Sequence, residues 1–145
     1  MLNQYFKEFI RSLNDNHVRY LVVGVYAVAL HGHPRYTKDI DIRIEMSPEN
    51  ASNILSALEQ FGFASLGLRE TDFLTPGQVI QLGQPPNRID LLCTASGVDF
   101  AACHKSRVTV EIDGVPVNFI NLEDLRKNKA ASGRHQDLAD LENLE

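Results

Sequence analysis

Two acidic residues alternate with two branched apolar residues near the middle of the chain, in the order Asp39, Ile40, Asp41, Ile42. In a β-strand, residues i and i+2 project to the same side, so both carboxylates would share one face and both isoleucines the other. Two neighbouring carboxylates repel each other, and a hard divalent cation relieves that repulsion. The alternation therefore predicts a metal-binding pair of aspartates on a strand.

A third acid, Asp90, lies in a later apolar segment between Ile89 and Leu91. A lone carboxylate in such a strand is costly unless it meets a cation or hydrogen-bond donors. Three carboxylates from neighbouring strands are typical ligands for one or two Mg²⁺ ions. We therefore expect Asp39, Asp41 and Asp90 to bind Mg²⁺, with Mn²⁺ as an alternative ion. The other interpretation of Asp90 is a surface acid on an edge strand.

A glycine, Gly24, follows the apolar segment 20–23 and precedes a short helical pattern. Because glycine has no side chain, its backbone can approach a ligand closely, and helix amides beyond it can hold phosphate oxygens. Taken alone, one glycine in this position is typical of a turn. Together with the acidic pair fifteen residues later, it indicates metal-assisted chemistry on a nucleotide.

Further polar residues surround the acidic pair. Arg35 and Lys38 are candidates for neutralising phosphate charge, and the alternative is that both are solvated loop cations. Thr37 either caps the turn or contacts phosphate. His31 and His33 leave another chemistry open, in which they bind a transition metal with the aspartates for hydrolysis. His31 also falls at a predicted helix end, where a cation is favourable without any metal.

The spacing of apolar residues predicts the elements that would position these groups. Helices are expected from residue 2 to near 14–16 and at 25–30, 48–61, 98–103, 122–131 and 134–144, and strands at 20–23, 40–44, 79–82, 89–93, 108–112 and 115–120. Ser47 is the expected N-cap of the third helix, and Asp113-Gly114 is the expected turn of a late hairpin. Because the late strands come as hairpins, this order predicts an α/β (α+β) fold with a small mixed sheet flanked by helices.

The length of 145 residues predicts a single domain that spans residues 1–145. A net charge of −5 does not favour nonspecific binding to nucleic acid or to anionic membranes. The sequence has no apolar run of the ~20 residues that span a bilayer, so no membrane partner is expected. Cys93 and Cys103 are expected to be reduced, buried thiols, which predicts a cytoplasmic protein. No feature predicts the oligomeric state.

The combination of Gly24-Val25, Asp39, Asp41 and Asp90 resembles the nucleotidyltransferase superfamily related to DNA polymerase β. The family pattern is a strand ending in Gly-Gly or Gly-Ser, a short helix, Asp-x-Asp on a strand and a third acid on a later strand. Gly24-Val25 matches the first element in part, and the three aspartates match the others. The resemblance implies the minimal nucleotidyltransferase fold, with the aspartates as catalytic and metal-binding residues.

A narrower resemblance, to the small bacterial nucleotidyltransferases of the abortive-infection AbiEii type, covers most of the chain. It is carried by the segments 24–41 and 127–141. This resemblance and the charges described above together indicate eight candidate nucleotide-binding residues. They are Gly24, Val25, Arg35, Thr37, Lys38, Lys129, Arg134 and Asp137. For the last three residues, the alternative is a solvated helical face.

The reaction that the resemblance implies is attack of an acceptor hydroxyl or phosphate on the α-phosphorus of a nucleoside triphosphate, with release of pyrophosphate. The acceptor would be RNA, for example a tRNA end, or a protein side chain. A toxin–antitoxin or phage-defence context, with a protein partner, is also implied. Because Val25 replaces the second small residue of the family pair, a second interpretation is a catalytically degenerate module of the same fold that binds a nucleotide or a partner.

Overall fold

The computed structural model describes residues 3–31, 39–84, 87–93 and 99–132. These residues form five α-helices, six strands and two short 3₁₀ turns. The elements are α1 Gln4–Asp15, β1 Tyr20–Val23, α2 Gly24–Leu30, β2 Asp39–Ile44, α3 Pro48–Phe61, the turns Ala64–Leu66 and Glu70–Phe73, β3 Val79–Leu82, β4 Arg88–Leu92, α4 Phe100–Lys105, β5 Val108–Ile112, β6 Val115–Phe119 and α5 Leu122–Ser132.

The strands form one mixed sheet in the order β3-β4-β2-β1-β6-β5. Strand β2 runs parallel to β4, and β1 runs parallel to β6, whereas the other three neighbouring pairs are antiparallel. Parallel neighbours need a long crossover connection, and between β2 and β4 it contains α3 and β3. The sheet therefore combines late hairpins with crossovers.

One side of β2 and β4 belongs to the hydrophobic core. Its residues are at most 1 % exposed, and they are Ile40, Ile42, Ile44, Ile89 and Leu91. Apolar residues of α1 and α3 join the same buried cluster, and the two helices pack against each other. Burial of each such side chain stabilises the fold by about 1.5–3 kcal/mol. The core therefore packs against one face of these two strands, and the polar residues lie on the opposite face.

Local signals explain where α3 begins and ends. The side chain of Ser47 accepts a hydrogen bond from the amide of Asn50, and Pro48 occupies the first turn, where no amide hydrogen is needed. Gly62 ends the helix with a φ of +100°, a left-handed conformation that glycine adopts without steric cost. In the hairpin of β5 and β6, Asp113 and Gly114 both have positive φ, as the predicted turn requires.

Asn50 connects α3 to the strands that carry the polar residues. It is 1 % exposed. Its Oδ1 accepts a hydrogen bond from the amide of Arg19 at 2.7 Å, and its Nδ2 donates to the carbonyl oxygen of Glu45 at 2.8 Å. These bonds join the residue before β1 to the residue after β2. They help to hold β1 and β2 in the register that places Val23 opposite Asp41.

The predicted fold class is confirmed, since the structure is a mixed sheet flanked by helices. Most predicted elements are present, with ends shifted by one or two residues. The fourth helix is the largest difference, because it begins at Phe100 after its N-cap Asp99 and continues to Lys105. The predicted helix at 134–144 lies outside the described residues.

Candidate functional site

The structure brings the three predicted acids together on one side of the sheet. Asp39 and Asp41 lie on β2, and Asp90 lies opposite Asp41 on the parallel strand β4. One carboxylate oxygen from each residue lies within 4.8 Å of the other two. Asp39 and Asp41 are half-buried, whereas Asp90 is 5 % exposed. The interpretation of Asp90 as a surface acid of an edge strand is wrong, because β4 lies between β3 and β2.

Arg88 is a charged member of this cluster that the sequence analysis did not identify. It lies opposite Asp39 in the β2–β4 register. Its Nη2 donates to Asp39 Oδ2 at 2.6 Å and to Asp90 Oδ2 at 3.0 Å. The charges of Asp90 and Asp39 raise the pKa of the Arg88 guanidinium, which is therefore positively charged. The signal in the sequence was the alternation Arg88-Ile89-Asp90, which repeats the pattern of the first acidic pair with one charge reversed.

The Asp41 carboxyl group lies in an unfavourable environment for a negative charge. Burial raises its pKa to about 7, and the charges of Asp39 and Asp90 act in the same direction. A hydrogen bond between the Asp41 and Asp90 carboxyl groups also contributes, and Arg88 opposes these effects. The three acids thus have more negative charge than Arg88 alone compensates. A divalent cation bound between them would remove this repulsion.

Gly24 lies directly beside Asp41, at the point where β1 passes into α2. Its φ is +69°, which side chains other than glycine rarely adopt. A Cβ atom built at this position would lie 3.0 Å from Asp41 Cβ and closer still to Asp41 Oδ2. The sequence therefore needs glycine here for two reasons, the backbone conformation and the space that the carboxylate occupies.

Arg43 is a second basic residue on the acid-bearing face, two positions after Asp41, and it was also missed. It is 5 % exposed, and its guanidinium lies over the Phe100 ring at 5.5 Å from the ring centre. Its Nε and Nη1 atoms are buried without a hydrogen-bond partner in the part of the chain that the structure describes. Burial lowers the pKa of this guanidinium. Arg43 therefore packs against Phe100 of α4, on the same face of the sheet as the acids.

The residues of this site fit a divalent metal ion. Three carboxylates are the donor set that Mg²⁺ and Mn²⁺ prefer. The Oδ1 atom of Asp90 is buried and has no hydrogen-bond partner among the described residues. Within the described ranges, no histidine or cysteine joins the acids in a group with metal-ligand spacing. The site thus has the hard oxygen ligands of a magnesium site.

Several predicted site residues are not placed by the structure. Those that lie outside the described residues are His33, Arg35, Thr37, Lys38, Arg134 and Asp137. Val25 lies on α2 and Lys129 lies on α5, but their side chains are outside the described part of the structure. Their roles in nucleotide binding therefore stay predictions.

His31 makes a contact that explains it without a metal. Its Nε2 lies 3.1 Å from the carbonyl oxygen of Ile120. Because a carbonyl oxygen only accepts, Nε2 carries the hydrogen and is not available as a metal ligand. The bond connects the end of α2 to the end of β6. Both predicted thiols, Cys93 and Cys103, are buried and unpaired by disulfide, as expected.

The comparison with protein families agrees with this geometry. The model described as "Nucleotidyltransferase of unknown function (DUF6036)" matches residues 2–145. The chain belongs to this nucleotidyltransferase family. Family membership confirms the resemblance to nucleotidyltransferases and supports a nucleotidyltransferase role. It also accounts for the acidic cluster, since nucleotidyltransferases generally use divalent metal ions. The narrower AbiEii-type resemblance is not confirmed by this match and stays a prediction.

Solved structures show the same fold. An antigenic nucleotidyltransferase-like protein from Paracoccidioides brasiliensis matches with a TM-score of 0.58 and 18 % identity, over 95 % of this chain and 72 % of that one. A protein from Thermotoga maritima, provisionally described as a nucleotidyltransferase, matches with a TM-score of 0.63 and 19 % identity, over 95 % and 88 % of the two chains. The search of curated proteins gave no match. In the described ranges, no helix combines the length and apolar character needed to cross a membrane.

Proposed function

We propose that residues 1–145 form one domain that transfers a nucleoside monophosphate from a nucleoside triphosphate to an acceptor. An acceptor oxygen attacks the α-phosphorus, the bond from this phosphorus to the bridging oxygen breaks, and pyrophosphate leaves. The acceptor that we propose is the end of an RNA, such as a tRNA, and a protein side chain is the alternative. The biological context that we propose is a toxin–antitoxin or phage-defence system.

The observation that carries this proposal is the convergence of Asp39, Asp41 and Asp90 within 4.8 Å, in a chain of a nucleotidyltransferase family. In this proposal, Asp39 and Asp41 hold Mg²⁺ or Mn²⁺. Asp90, whose Oδ1 has no partner among the described residues, completes the metal site or receives the proton of the acceptor. The chemistry that the bound ion supplies is neutralisation of phosphate charge and orientation of the α-phosphate.

The backbone at Gly24 supports a phosphate position next to the acids. Because a Cβ at Gly24 would collide with the Asp41 carboxylate, the glycine lets main chain and carboxylate approach one ligand together. The catalytic effect in this proposal comes from positioning and charge, since the acceptor attacks the α-phosphorus directly.

Transfer of radiolabel tests the proposal. Purified protein is incubated with Mg²⁺, with each of the four α-³²P-labelled nucleoside triphosphates, and with total tRNA or cell lysate. We expect label on one acceptor class, which identifies both nucleotide and acceptor. Asp41→Asn should abolish labelling, and Asp15→Asn, the same substitution at an exposed acid at the end of α1, should leave it unchanged. Equal labelling by both variants would overturn the proposal.

The second candidate is a binding module without turnover, and the departure at Val25 from the family pair favours it. Filter binding of the same labelled nucleotides, together with a pyrophosphate assay, separates the two functions. Saturable binding of a nucleoside triphosphate, with no label transferred to any acceptor and no release of pyrophosphate, would support the module. The binding should then still depend on Asp41, because the same acids would hold the metal ion that neutralises the phosphates in both cases.

A further inference from the structure

Arg88 lies where its guanidinium bridges two acids of the candidate metal site. A single nitrogen, Nη2, donates to Asp39 and Asp90, which belong to different strands. The register places Arg88 opposite Asp39 and Asp90 opposite Asp41, so all four residues lie on one face. The contact is therefore built into the pairing of β2 with β4 and does not depend on a loop.

A divalent cation and Arg88 need the same carboxylates. The acids that group within ligand distance are Asp39, Asp41 and Asp90, and Arg88 is bonded to two of them at 2.6 Å and 3.0 Å. Charge-assisted hydrogen bonds of this kind are among the stronger ones in proteins. A carboxylate oxygen that accepts from a guanidinium has less charge to offer to a metal ion, and the two cations also repel each other at this distance.

The remaining contacts of Arg88 show that it is not locked in place. Its side chain is 33 % exposed, so a path to solvent is open. Its Nε is buried and has no hydrogen-bond partner among the described residues. The guanidinium is thus held mainly by the two acids, and weakening those bonds would free it to turn outward.

We propose that Arg88 is the internal counter-ion of the acidic cluster and that it competes with the divalent metal ion for Asp39 and Asp90. This inference rests on the proposed function, since it assumes that the cluster binds metal. Arg88 is a positioning residue: it bridges Asp39 and Asp90 and sets the affinity for the free ion at a low value. Tight loading then depends on a ligand that brings further negative charge, such as the phosphates of a nucleotide.

Mn²⁺ binding without nucleotide tests the competition. Free Mn²⁺ is measured by electron paramagnetic resonance during titration of wild type, Arg88→Gln, Arg88→Lys and the control Arg19→Gln. The control removes another arginine ion pair, to Glu45 at 2.9 Å on the surface. We expect Arg88→Gln to bind Mn²⁺ about tenfold more tightly than wild type, which corresponds to about 1.4 kcal/mol. Arg88→Lys should lie between them, and Arg19→Gln should match wild type.

Thermal unfolding provides a second readout that does not depend on the chemistry. Without metal, Arg88→Gln should melt below wild type, because the acids lose their counter-ion. With saturating Mn²⁺, its melting temperature should rise by more than that of wild type. A purely structural role would lower the melting temperature with and without Mn²⁺ by the same amount, and this result would overturn the inference.

The outcomes separate this inference from the proposed function. If neither wild type nor Arg88→Gln binds Mn²⁺, or if Asp41→Asn binds it as well as wild type, the metal-dependent function fails, and the inference fails with it. If wild type binds Mn²⁺ through Asp41 but Arg88→Gln binds it equally or more weakly, only the inference fails. Arg88 would then organise the acids without competing with the ion.

Discussion

The two faces of β2 and β4 have opposite properties, although they alternate along the same backbone. On one face, Ile40, Ile42 and Leu91 are at most 1 % exposed and contain no charge. On the other face, three acids share the charge of Arg88, and the Asp41 carboxyl group has a pKa raised to about 7. Burial of the first face stabilises the folded protein, whereas charge repulsion on the second face destabilises it.

This difference indicates that the charged face, and not the apolar one, is the face that binds a ligand. A buried apolar face needs no ligand, because its side chains are already removed from water by their contacts in the core. A cluster of like charges, in contrast, lacks the opposite charge that would relieve its repulsion. It is maintained only because the apolar face behind it stabilises both strands. The stable face thus maintains a repulsive one, which is an arrangement often found at functional sites.

The largest expected effect is that of Asp41→Asn on the charged face. Transfer of label should fall by at least about a thousandfold, because the substitution removes a metal ligand. The metal-free variant should nevertheless melt a few degrees above wild type, since one repelling charge is gone. Radiolabel transfer and scanning calorimetry measure the two effects. A lower melting temperature for Asp41→Asn would contradict the view that this face is repulsive.

Ile42→Ala tests the opposite face at the neighbouring position. Loss of a fully buried side chain should lower the free energy of unfolding by about 2–5 kcal/mol. The affinity of the folded protein for Mn²⁺ should change little, because the substitution does not touch the acids. Urea unfolding and Mn²⁺ titration at a temperature where the variant is folded give both values. If Mn²⁺ affinity falls together with stability, the two faces are not independent.

Gly24→Ala should affect both properties at the border between the faces. The added Cβ would collide with the Asp41 carboxylate, and the φ of +69° is strained for alanine. We expect a loss of about 1–3 kcal/mol in the free energy of unfolding and a measurable loss of Mn²⁺ affinity. Gly114→Ala is the matched control, because it also has positive φ but meets no atom within 4 Å. It should lose stability without losing affinity for Mn²⁺.

The last expected effect is a dependence on pH. The pKa of Asp41 is raised from 3.8 to about 7 in the folded protein, so between these values the folded state binds the extra proton. The free energy of unfolding of the metal-free protein should therefore fall as pH rises towards about 7. A melting profile from about pH 5 to about pH 8 should show this slope in wild type and a smaller slope in Asp41→Asn. Parallel profiles would place the raised pKa elsewhere.

Much of the fold was predictable because its signals are local. The N-cap Ser47, the C-terminal Gly62 and the turn Asp113-Gly114 each determine one boundary through their own backbone preferences, and the structure has all three. The beginning of α4 was placed too early because its N-cap, Asp99, lies between the apolar residues Val98 and Phe100, which fit one helical segment. The crossover that makes β4 parallel to β2 was not predicted. A hairpin pattern indicates that β3 pairs with β4, but it does not indicate which strand lies on the other side of β4.

In the candidate site, too, the residues that local patterns indicate were predictable, and those that depend on strand pairing were not. The pair Asp39 and Asp41 was predictable because alternation in a strand puts both on one face, whatever the rest of the chain does. Asp90 was predicted as a third acid, but its opposite interpretation could be rejected only once β4 was seen inside the sheet. Arg88 was missed, although it lies two residues before Asp90, because an arginine on a strand is ordinarily a solvated surface residue.

The sequence by itself therefore determined the alternation of acids and isoleucines, the glycine before the helix and the boundaries of most elements. Only the tertiary structure decided that Arg88 bonds to Asp39, 49 residues away along the chain, and that Asp90 lies opposite Asp41. The physical reason is that side-chain alternation follows from the geometry of one strand. The register between β2 and β4, in contrast, depends on how a long crossover packs its helix against the sheet.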